Sequence, residues 1–363
     1  MHVFFDPDGR PILLGSQMRW DLEPNAFLRR LCVVNGRTSS PRTWRSYAYQ
    51  LADWLSFCDR GGVDWRHVTE LNIAAFRNLL ISEACPTTGR HLKRGTINHK
   101  LTVILQFYRF AQKQGWIDKL PFEIETVRVP HRGFGELRAG SAPPSGPASR
   151  FSLRLPEFRD DVQIPPREEV RRFIRSFKSW RDRLIAESLW LTGMRASEVC
   201  SLSLTALPRS LGAIDRDSIA VKIVGKGQKP RAIVFPVRLL RSIDRYVHME
   251  RRRCTSGAPR VADLVFVGRD GRPLKTPAVN RVFSTNCRRT GLRIWPHLLR
   301  HAYAVERLAY LQDIGAPNPL KTLQLELGHS SLTTTEHYLH ITDRMRSDLL
   351  AAHNSFVDRL LEE

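Results

Sequence analysis

Acidic residues are scarce in this 363-residue chain relative to basic ones. It carries 36 Asp and Glu against 57 Lys and Arg, which gives a formal net charge of +21 and a sequence pI of about 10.5. This imbalance indicates a polyanionic partner, and nucleic acid is the usual one because each neutralised phosphate releases counterions. An anionic membrane surface is the alternative, but the sequence has neither a basic amphipathic helix nor a lipidation signal.

Cysteine pairs and long apolar runs are also missing. The six cysteines are widely scattered without a CxxC pair, which argues against a zinc ribbon or a disulfide framework and favours free thiols in a reducing compartment. The sequence contains no run of 18 apolar residues, the length needed to span a bilayer. The first residues do not have the pattern of a secretory signal. We therefore expect a cytoplasmic protein.

Apolar periodicity predicts a helical first domain over residues 37–121. Its helices are expected at about Ser40 to Asp59, at Leu71 to Ala84 and between Gly95 and Gly115, with apolar residues at three- and four-residue steps. Residues 1–36 contain turn signals around short apolar pieces and predict only an N-terminal arm.

Residues 122–165 are rich in Pro, Gly and Ser, which predicts an extended interdomain linker. A second domain is expected over residues 166–342, and a final amphipathic helix over 343–363. The elements predicted in this second domain are helices at 166–177, 180–191, 277–289 and from Pro236, a hairpin in SIAVKIVGKGQKPRAIVFP and a short strand in LVFVGRDGRPL. The fold class is therefore mainly α with a small β-sheet (α+β).

Several candidate site residues lie close together in the last quarter of the chain. WPHLLRHAY contains His297 and Arg300, and ELGHSSLTTTEHYLH contains His329 and, nine residues later, Tyr338. A tyrosine is a plausible nucleophile for a phosphate only where cations converge on it, because ionising free tyrosine at neutral pH costs about 4 kcal/mol. The alternative for Tyr338 is an ordinary half-buried tyrosine.

Two earlier segments supply candidate phosphate ligands. Arg195 in LTGMRASEV lies between a helix that ends at Gly193 and a new helical turn, where its guanidinium could bind phosphate oxygens in a bidentate manner. Lys226 lies in the GKGQK turn, from which an ammonium group could donate a proton. The alternatives are a surface arginine and a solvated lysine, and Lys229 competes for any role in the turn.

A metal site is the sharpest competing use of the histidines. His297 and His301 are spaced i and i+4, as in a helical zinc pair. The glutamate of HExxH is missing, since Leu298 follows His297, and no cysteine lies close by in sequence. We therefore predict no metal.

Four segments together resemble the tyrosine recombinase (phage integrase) family: LTGMRASEV, GKGQK, HLLRH and LGHSSLTTTEHY, in this order. The resemblance spans residues from about 37 to 345. It implies a helical core-binding (SAM-like) domain and a catalytic domain that form a C-shaped clamp. It also implies site-specific recombination of DNA through a 3′-phosphotyrosyl intermediate and a Holliday junction, without metal or other cofactor. A type IB topoisomerase-like relaxing enzyme and a catalytically silent DNA-binding protein of the same fold are the alternatives.

The resemblance also implies roles for the cations and the nucleophile. Arg195 and Arg300 would bind the non-bridging oxygens of the scissile phosphate. Tyr338 would attack the phosphorus, and Lys226 would protonate the 5′-hydroxyl that leaves.

Further roles concern proton transfer and support. His297 and His329 would hydrogen-bond the phosphate and assist proton transfer to and from the tyrosine, and Glu198 would hold the geometry of Arg195. The partner would be double-stranded DNA with a recombination site, bound on the nucleoid by a homotetramer on two duplexes. The C-terminal helix would dock on the next subunit, although packing against its own core would give the same amphipathic pattern. Candidate DNA-backbone contacts are the basic residues Arg45, Lys93, Arg94 and Lys100.

Overall fold

The computed structural model describes most of the chain. The described residues are 1–15, 17–34, 41–85, 89–127, 148–156, 162–208, 215–225, 230–255, 263–329, 332, 335–336, 338–339 and 341–342. Within them the chain is mostly helical with small two-stranded antiparallel sheets, so the predicted fold class is confirmed. The chain divides into two compact units, Met1–Arg159 and Asp160–Glu363. No helix in the described ranges combines the length and the apolarity needed to cross a bilayer.

The first unit is built on helices that lie where the apolar stripes predicted them. They are α2 (Pro41–Arg60), α3 (Glu70–Ser82) and α4 (Arg94–Lys113), after a shorter α1 (Leu22–Arg29) that continues into a π-helical turn at Arg30–Val34. Their apolar faces share one core, because a helix with one apolar stripe is stable only when that stripe is covered.

The centre of this core holds two large aromatic side chains with polar atoms. Trp54 is fully buried, and its Nε1–H donates to the Tyr108 hydroxyl at 3.2 Å. That hydroxyl in turn donates to the backbone carbonyl of Trp65 at 2.9 Å. Both polar groups are thus satisfied inside an apolar core, where an unpaired one would cost about 1–3 kcal/mol.

The N-terminal segment differs from the expected arm over residues 1–36. It forms an antiparallel hairpin of β1 (His2–Phe5) and β2 (Pro11–Leu14), followed by α1. Leu13 is fully buried in the core of the first unit, and the Asn25 side chain bonds both the N–H and the C=O of Leu13, at 2.8 and 2.7 Å. The short apolar pieces lack a helical period, yet they cover the α2–α4 core once folded.

The expected linker over residues 122–165 is also partly folded. β3 (Ile124–Val127) pairs with β4 (Ala148–Phe151), and residues 128–147 between them lie outside the described residues. The Asn98 side chain bonds the N–H and the C=O of Leu155, both at 2.9 Å. Residues 122–127 and 148–156, on either side of 128–147, therefore belong to the first unit, a long-range pairing that local composition does not reveal.

The second unit contains the predicted helices and hairpin. The described elements before the site are α5 (Arg167–Arg175), α6 (Trp180–Thr192), α7 (Ala196–Cys200), β5 (Ser218–Val224), β6 (Pro230–Pro236), α8 (Val237–Tyr246), a π-helical turn (Val247–Arg251), α9 (Arg252–Thr255) and α10 (Thr276–Thr290). α11 (Pro296–Asp313) and α12 (Pro319–Leu327) follow. The GKGQK turn residues 226–229 and the expected helix over 343–363 lie outside the described residues.

The prediction of a short strand in LVFVGRDGRPL is wrong. The structure has isolated bridges there, Ser203 with Leu264 and Val267 with Pro273. Val265 and Phe266 are fully buried in the core of the second unit. The apolar run therefore packs into the core without forming a regular strand. A short apolar run is compatible with either structure, so the sequence does not distinguish between them.

α6 lies at the centre of the second unit and packs against α8, β6 and α11. Its polar Ser188 is fully buried, and the hydroxyl donates to the carbonyl of Leu184 at 2.7 Å. Because this hydroxyl is satisfied within the helix, α6 can be buried on nearly every side. The helix ends at Gly193. This end lies against α11 and α12, where the candidate site residues are found.

Candidate active site

The site begins where α6 stops. Gly193 has a φ of 64°, the left-handed conformation that ends many helices, and a Cβ at this position would collide with the Tyr303 ring. The close approach leaves the Gly193 carbonyl facing α11. Arg195 follows as the residue that precedes α7, so its guanidinium is held at a junction between two helices, as the sequence predicted.

Glu198 fixes two guanidinium groups. Its carboxylate accepts from the Arg195 backbone N–H at 2.7 Å and from Arg195 Nη1 at 2.9 Å. It also accepts from Arg231 Nη2 at 2.7 Å, and the glutamate side chain is 2% exposed. Burial opposes its ionisation, but the hydrogen bonds and charges of Arg231 and Arg195 outweigh burial and lower the pKa of Glu198. The carboxylate is therefore charged and rigidly placed.

Arg300 lies beneath this pair, in the first turns of α11, with a side chain only 1% exposed. Its Nη1 donates to the Gly193 carbonyl at 2.5 Å and its Nη2 to the Leu327 carbonyl at 2.6 Å, while Nε has no partner among the described residues. Burial, and then the charges of Arg195 and Arg231, lower the pKa of Arg300 to about 9, so it stays protonated at neutral pH.

α12 ends at Gly328, which has the left-handed conformation with a φ of 63°, and His329 is the next residue. Arg300 Nη2 lies 3.2 Å from His329 Nε2, and His329 Nδ1 lies 3.0 Å from the Thr335 hydroxyl. Burial, and then Arg300 and Arg195, lower the pKa of His329 to about 4, so the ring is neutral at pH 7. Since a guanidinium only donates, Nε2 accepts and the ring proton resides on Nδ1.

Tyr338 lies between two histidine rings. The tyrosine is 2% exposed, and its hydroxyl is 2.8 Å from His301 Nδ1. The His329 ring runs nearly parallel to it, at 18° and with 6.3 Å between centroids. Burial raises the pKa of Tyr338 and outweighs the charges of Arg300 and Arg195, which act to lower it. The tyrosine oxygen thus lies within the field of the two arginines that the sequence singled out.

His297 lies in the first turn of α11 and is exposed, with its ring centroid 4.3 Å from that of His301. Partial desolvation, and then the charges of Arg300 and Arg195, lower the pKa of His297. It is thus a neutral side chain on the open side of the cationic cluster, where an incoming anion can reach it.

The structure gathers most of the predicted site residues into one cluster. The members are Arg195, Glu198, His297, Arg300, His329 and Tyr338. Lys226 lies outside the described residues.

The candidate DNA-backbone contacts lie in the first unit, and three of them have partners there. Arg45 lies over the Phe5 ring, 4.4 Å from its centroid, and Lys100 forms an ion pair with Asp53. Arg94 Nη1 donates to the Pro156 carbonyl at 3.4 Å. Lys93 is the residue that precedes α4.

The sequence reasoning missed two members of the cluster. Arg231 bonds Glu198 and also donates to the Glu326 backbone carbonyl. Its signal was strand parity, because it shares a face of β6 with the buried Ile233 and Phe235. The sequence places His301 beside His297 and Arg300 in the segment near the tyrosine, but it suggests no specific role for His301 other than that of a metal ligand.

Two family models match the chain. The model of the phage integrase family matches residues 166–345, and that of the phage integrase N-terminal SAM-like domain matches residues 25–115. The tyrosine recombinase XerC of Chlamydia muridarum is 30% identical over 342 residues, a match that covers 89% of this chain and 95% of that protein. This chain belongs to the tyrosine recombinase (phage integrase) family. The expected family is thereby confirmed.

Other tyrosine recombinases are similar over most of their length. XerC of Lacticaseibacillus casei is 27% identical over 327 residues, covering 88% of this chain and 95% of that protein. The XerH recombinase in a post-cleavage complex with its difH substrate matches with a TM-score of 0.61 at 18% identity, over 91% of this chain and 84% of that one. The Tn1549 transposon integrase in complex with circular intermediate DNA matches with a TM-score of 0.57 at 17% identity, over 86% of this chain and 94% of that one.

As a tyrosine recombinase, the chain is an enzyme that cleaves and rejoins DNA at specific sites. The expected function is confirmed at this level. The topoisomerase-like relaxing enzyme and the catalytically silent DNA-binding protein are not favoured, since the matched relatives are recombinases.

Proposed function

We propose that this recombinase cuts each DNA strand by attack of Tyr338 on a phosphate held by Arg195 and Arg300. The observation that carries the proposal is the position of the Tyr338 hydroxyl within the field of two arginines that the protein has already fixed in place. Guanidinium groups held before the substrate arrives need no reorganisation during the reaction, which is the main source of electrostatic catalysis.

The two arginines have different tasks in this proposal. The Arg195 side chain is 29% exposed, so a phosphate can reach its guanidinium from solvent and form charge-assisted hydrogen bonds. Arg300 is 1% exposed and acts from beneath, where it stabilises negative charge on the phosphate and on the tyrosine oxygen. Glu198 and Arg231 hold this arrangement and do not touch the substrate.

In the proposed cleavage step the Tyr338 Oη–P bond forms and the P–O5′ bond breaks. Lys226 donates the proton that the leaving 5′-oxygen requires, and His297 hydrogen-bonds the phosphate. His329, expected to do the same, already accepts from Arg300 and instead supports that guanidinium. The 3′-phosphotyrosyl bond keeps the phosphodiester at similar energy, so the 5′-hydroxyl of another strand can reverse the step. Neither a metal nor another cofactor is needed.

The substrate in this proposal is double-stranded DNA that carries a recombination site. A homotetramer on two duplexes would exchange strands through a Holliday junction, in the cytoplasm and on the nucleoid. The amphipathic pattern of residues 343–363 predicts a helix whose apolar face needs a partner, and in this proposal the neighbouring subunit covers it. Arg45, Lys93 and Arg94 remain proposed backbone contacts, and Lys100 would first have to leave Asp53.

A nicked suicide substrate tests the nucleophile. Cleavage next to the nick releases a short strand, so rejoining fails and the covalent complex accumulates. We expect the wild type to form this complex in EDTA, and Tyr338→Phe to bind the same DNA with similar affinity but to form none. Binding should persist because one hydroxyl is a small part of a polyelectrolyte interface. A covalent complex with Tyr338→Phe would show that another residue attacks.

A further inference from the structure

In this cluster His301 contacts the Tyr338 hydroxyl, and it has no role in the proposed reaction so far. Its Nδ1 lies 2.8 Å from the tyrosine oxygen, and the two ring centroids are 5.6 Å apart at an angle of 54°. We propose that His301 accepts the Tyr338 proton during strand cleavage and returns it during rejoining. This inference rests on the proposed function, in which Tyr338 is the nucleophile.

His329 is poorly placed for the same task. Its Nε2 accepts from Arg300 and its Nδ1 donates to Thr335, so both ring nitrogens are engaged. Its ring also lies nearly parallel to the Tyr338 ring, at 18°, and so faces the tyrosine with its π surface. A base must present a lone pair to the proton that it accepts, within hydrogen-bond reach. His329 is therefore assigned to holding Arg300 in place.

His297 occupies a different position from His301. It is exposed, whereas His301 is half-buried one turn further along α11. The two rings pack with centroids 4.3 Å apart. The exposed ring is the one that an incoming phosphate meets, and the half-buried ring is the one that meets the tyrosine. His297 and His301 lie on the same face of α11 because they are four residues apart. In this proposal His297 binds the phosphate and His301 accepts the proton.

Binding of the substrate changes the charge of the cluster in which His301 lies. Without DNA, the charges of Arg300 and Arg195 act to lower the pKa values of Tyr338, His297 and His329. These positive charges disfavour a further cation in the cluster. A bound phosphate contributes negative charge to the same cluster and favours an imidazolium. Proton transfer from the tyrosine is thereby coupled to occupation of the site by DNA.

The proton balance of the step is complete. His301 begins neutral with its ring proton on Nε2, so that Nδ1 has a lone pair for the Tyr338 proton. As the Oη–P bond forms, the proton moves from Oη to Nδ1, and the leaving 5′-oxygen takes a separate proton from Lys226. On rejoining, the 5′-hydroxyl returns its proton to Lys226 and the tyrosine oxygen takes its proton back from Nδ1.

Two reactions separate this role from simple structural support. Cleavage of the nicked substrate requires removal of the Tyr338 proton. Rejoining of a DNA strand that carries a 3′-p-nitrophenyl phosphate requires the arginines, but neither Tyr338 nor its base, because p-nitrophenolate leaves without a proton. A defect in proton acceptance therefore lowers the first rate and spares the second.

The variants are His301→Asn, which keeps an acceptor atom near the position of Nδ1 but cannot take the proton, and His301→Phe, which keeps the ring. We expect single-turnover cleavage to fall by about 10²- to 10⁴-fold in both. Rejoining of the p-nitrophenyl substrate should stay within a few-fold of wild type. Arg195→Ala is the reference and should lose both reactions, and thermal unfolding of each variant shows whether it is folded.

Two outcomes would overturn the assignment. Near-wild-type cleavage by His301→Asn would mean that a hydrogen bond alone suffices and that the proton goes elsewhere. Loss of both reactions in His301→Asn with an intact fold would mean that His301 supports the phosphate site. If His301→Phe does not fold, His301→Asn decides. Failure of the proposed function is distinguishable, because then wild type itself forms no covalent complex or Tyr338→Phe still forms one.

Discussion

Glu198→Gln removes a negative charge placed among three guanidinium groups of the active site. The carboxylate lies 2.9 Å from Arg195 Nη1, 2.7 Å from Arg231 Nη2 and 4.0 Å from Arg300 Nη1, and is 2% exposed. Removing one partner of a buried ion pair costs about 3–5 kcal/mol. Arg195 is partly exposed and water can solvate it, so we expect the lower end, about 3 kcal/mol. For a unit of this size, that corresponds to a fall in Tm of roughly 6–12 °C.

Glu168→Gln is the matched control in the same unit. Glu168 pairs with Arg171 at 2.7 Å, but its side chain is 78% exposed, so the change should alter stability by less than about 0.5 kcal/mol. Calorimetric unfolding of wild type and both variants at pH 7 measures the difference. A shift for Glu198→Gln as small as that of the control would refute the view that this carboxylate holds the arginines together.

Two further predictions concern pH and backbone conformation. Burial opposes ionisation of Glu198, but Arg231 and Arg195 lower the pKa of this carboxyl. The ionised carboxylate therefore stabilises the fold fully above the unfolded pKa of about 4.3, and this stabilisation is lost as the pH falls through the lower folded pKa. The difference in Tm between wild type and Glu198→Gln should therefore narrow below about pH 4. Gly193→Ala should be less stable than Gly291→Ala by about 1–3 kcal/mol in urea unfolding. Both glycines end helices with positive φ, of 64° and 73°, but only at 193 does a Cβ collide with a side chain, the Tyr303 ring. Equal losses would contradict this.

Local periodicity was sufficient to predict most of the helices. α2 and α4 have apolar stripes long enough to register the 3.6-residue period, and the alternation in β5 and β6 is equally clear. Residues 1–36 and the strands β3 and β4 within 122–165 were less predictable. Their strands are four residues long and are stabilised by distant partners such as the core around Leu13, which no local window contains.

The candidate site was predictable in its residue types but not in its connections. The motifs identified Arg195, Arg300 and Tyr338, because those segments carry unusual combinations of side chains. Spacing along the chain did not show that Arg231 bonds Glu198, or that His301 contacts the tyrosine hydroxyl. Those contacts arise from packing of α11 and α12 against β6 and the end of α6, which the sequence does not encode locally.

The most direct measurement identifies the residue that carries the DNA. The covalent complex trapped on a nicked substrate is digested with nuclease and protease, and the nucleotide-bearing peptide is sequenced by mass spectrometry. We predict a 3′-phosphoryl nucleotide attached to Tyr338, formed in EDTA. A nucleotide on any other side chain, or attached through its 5′-phosphate, would contradict the account.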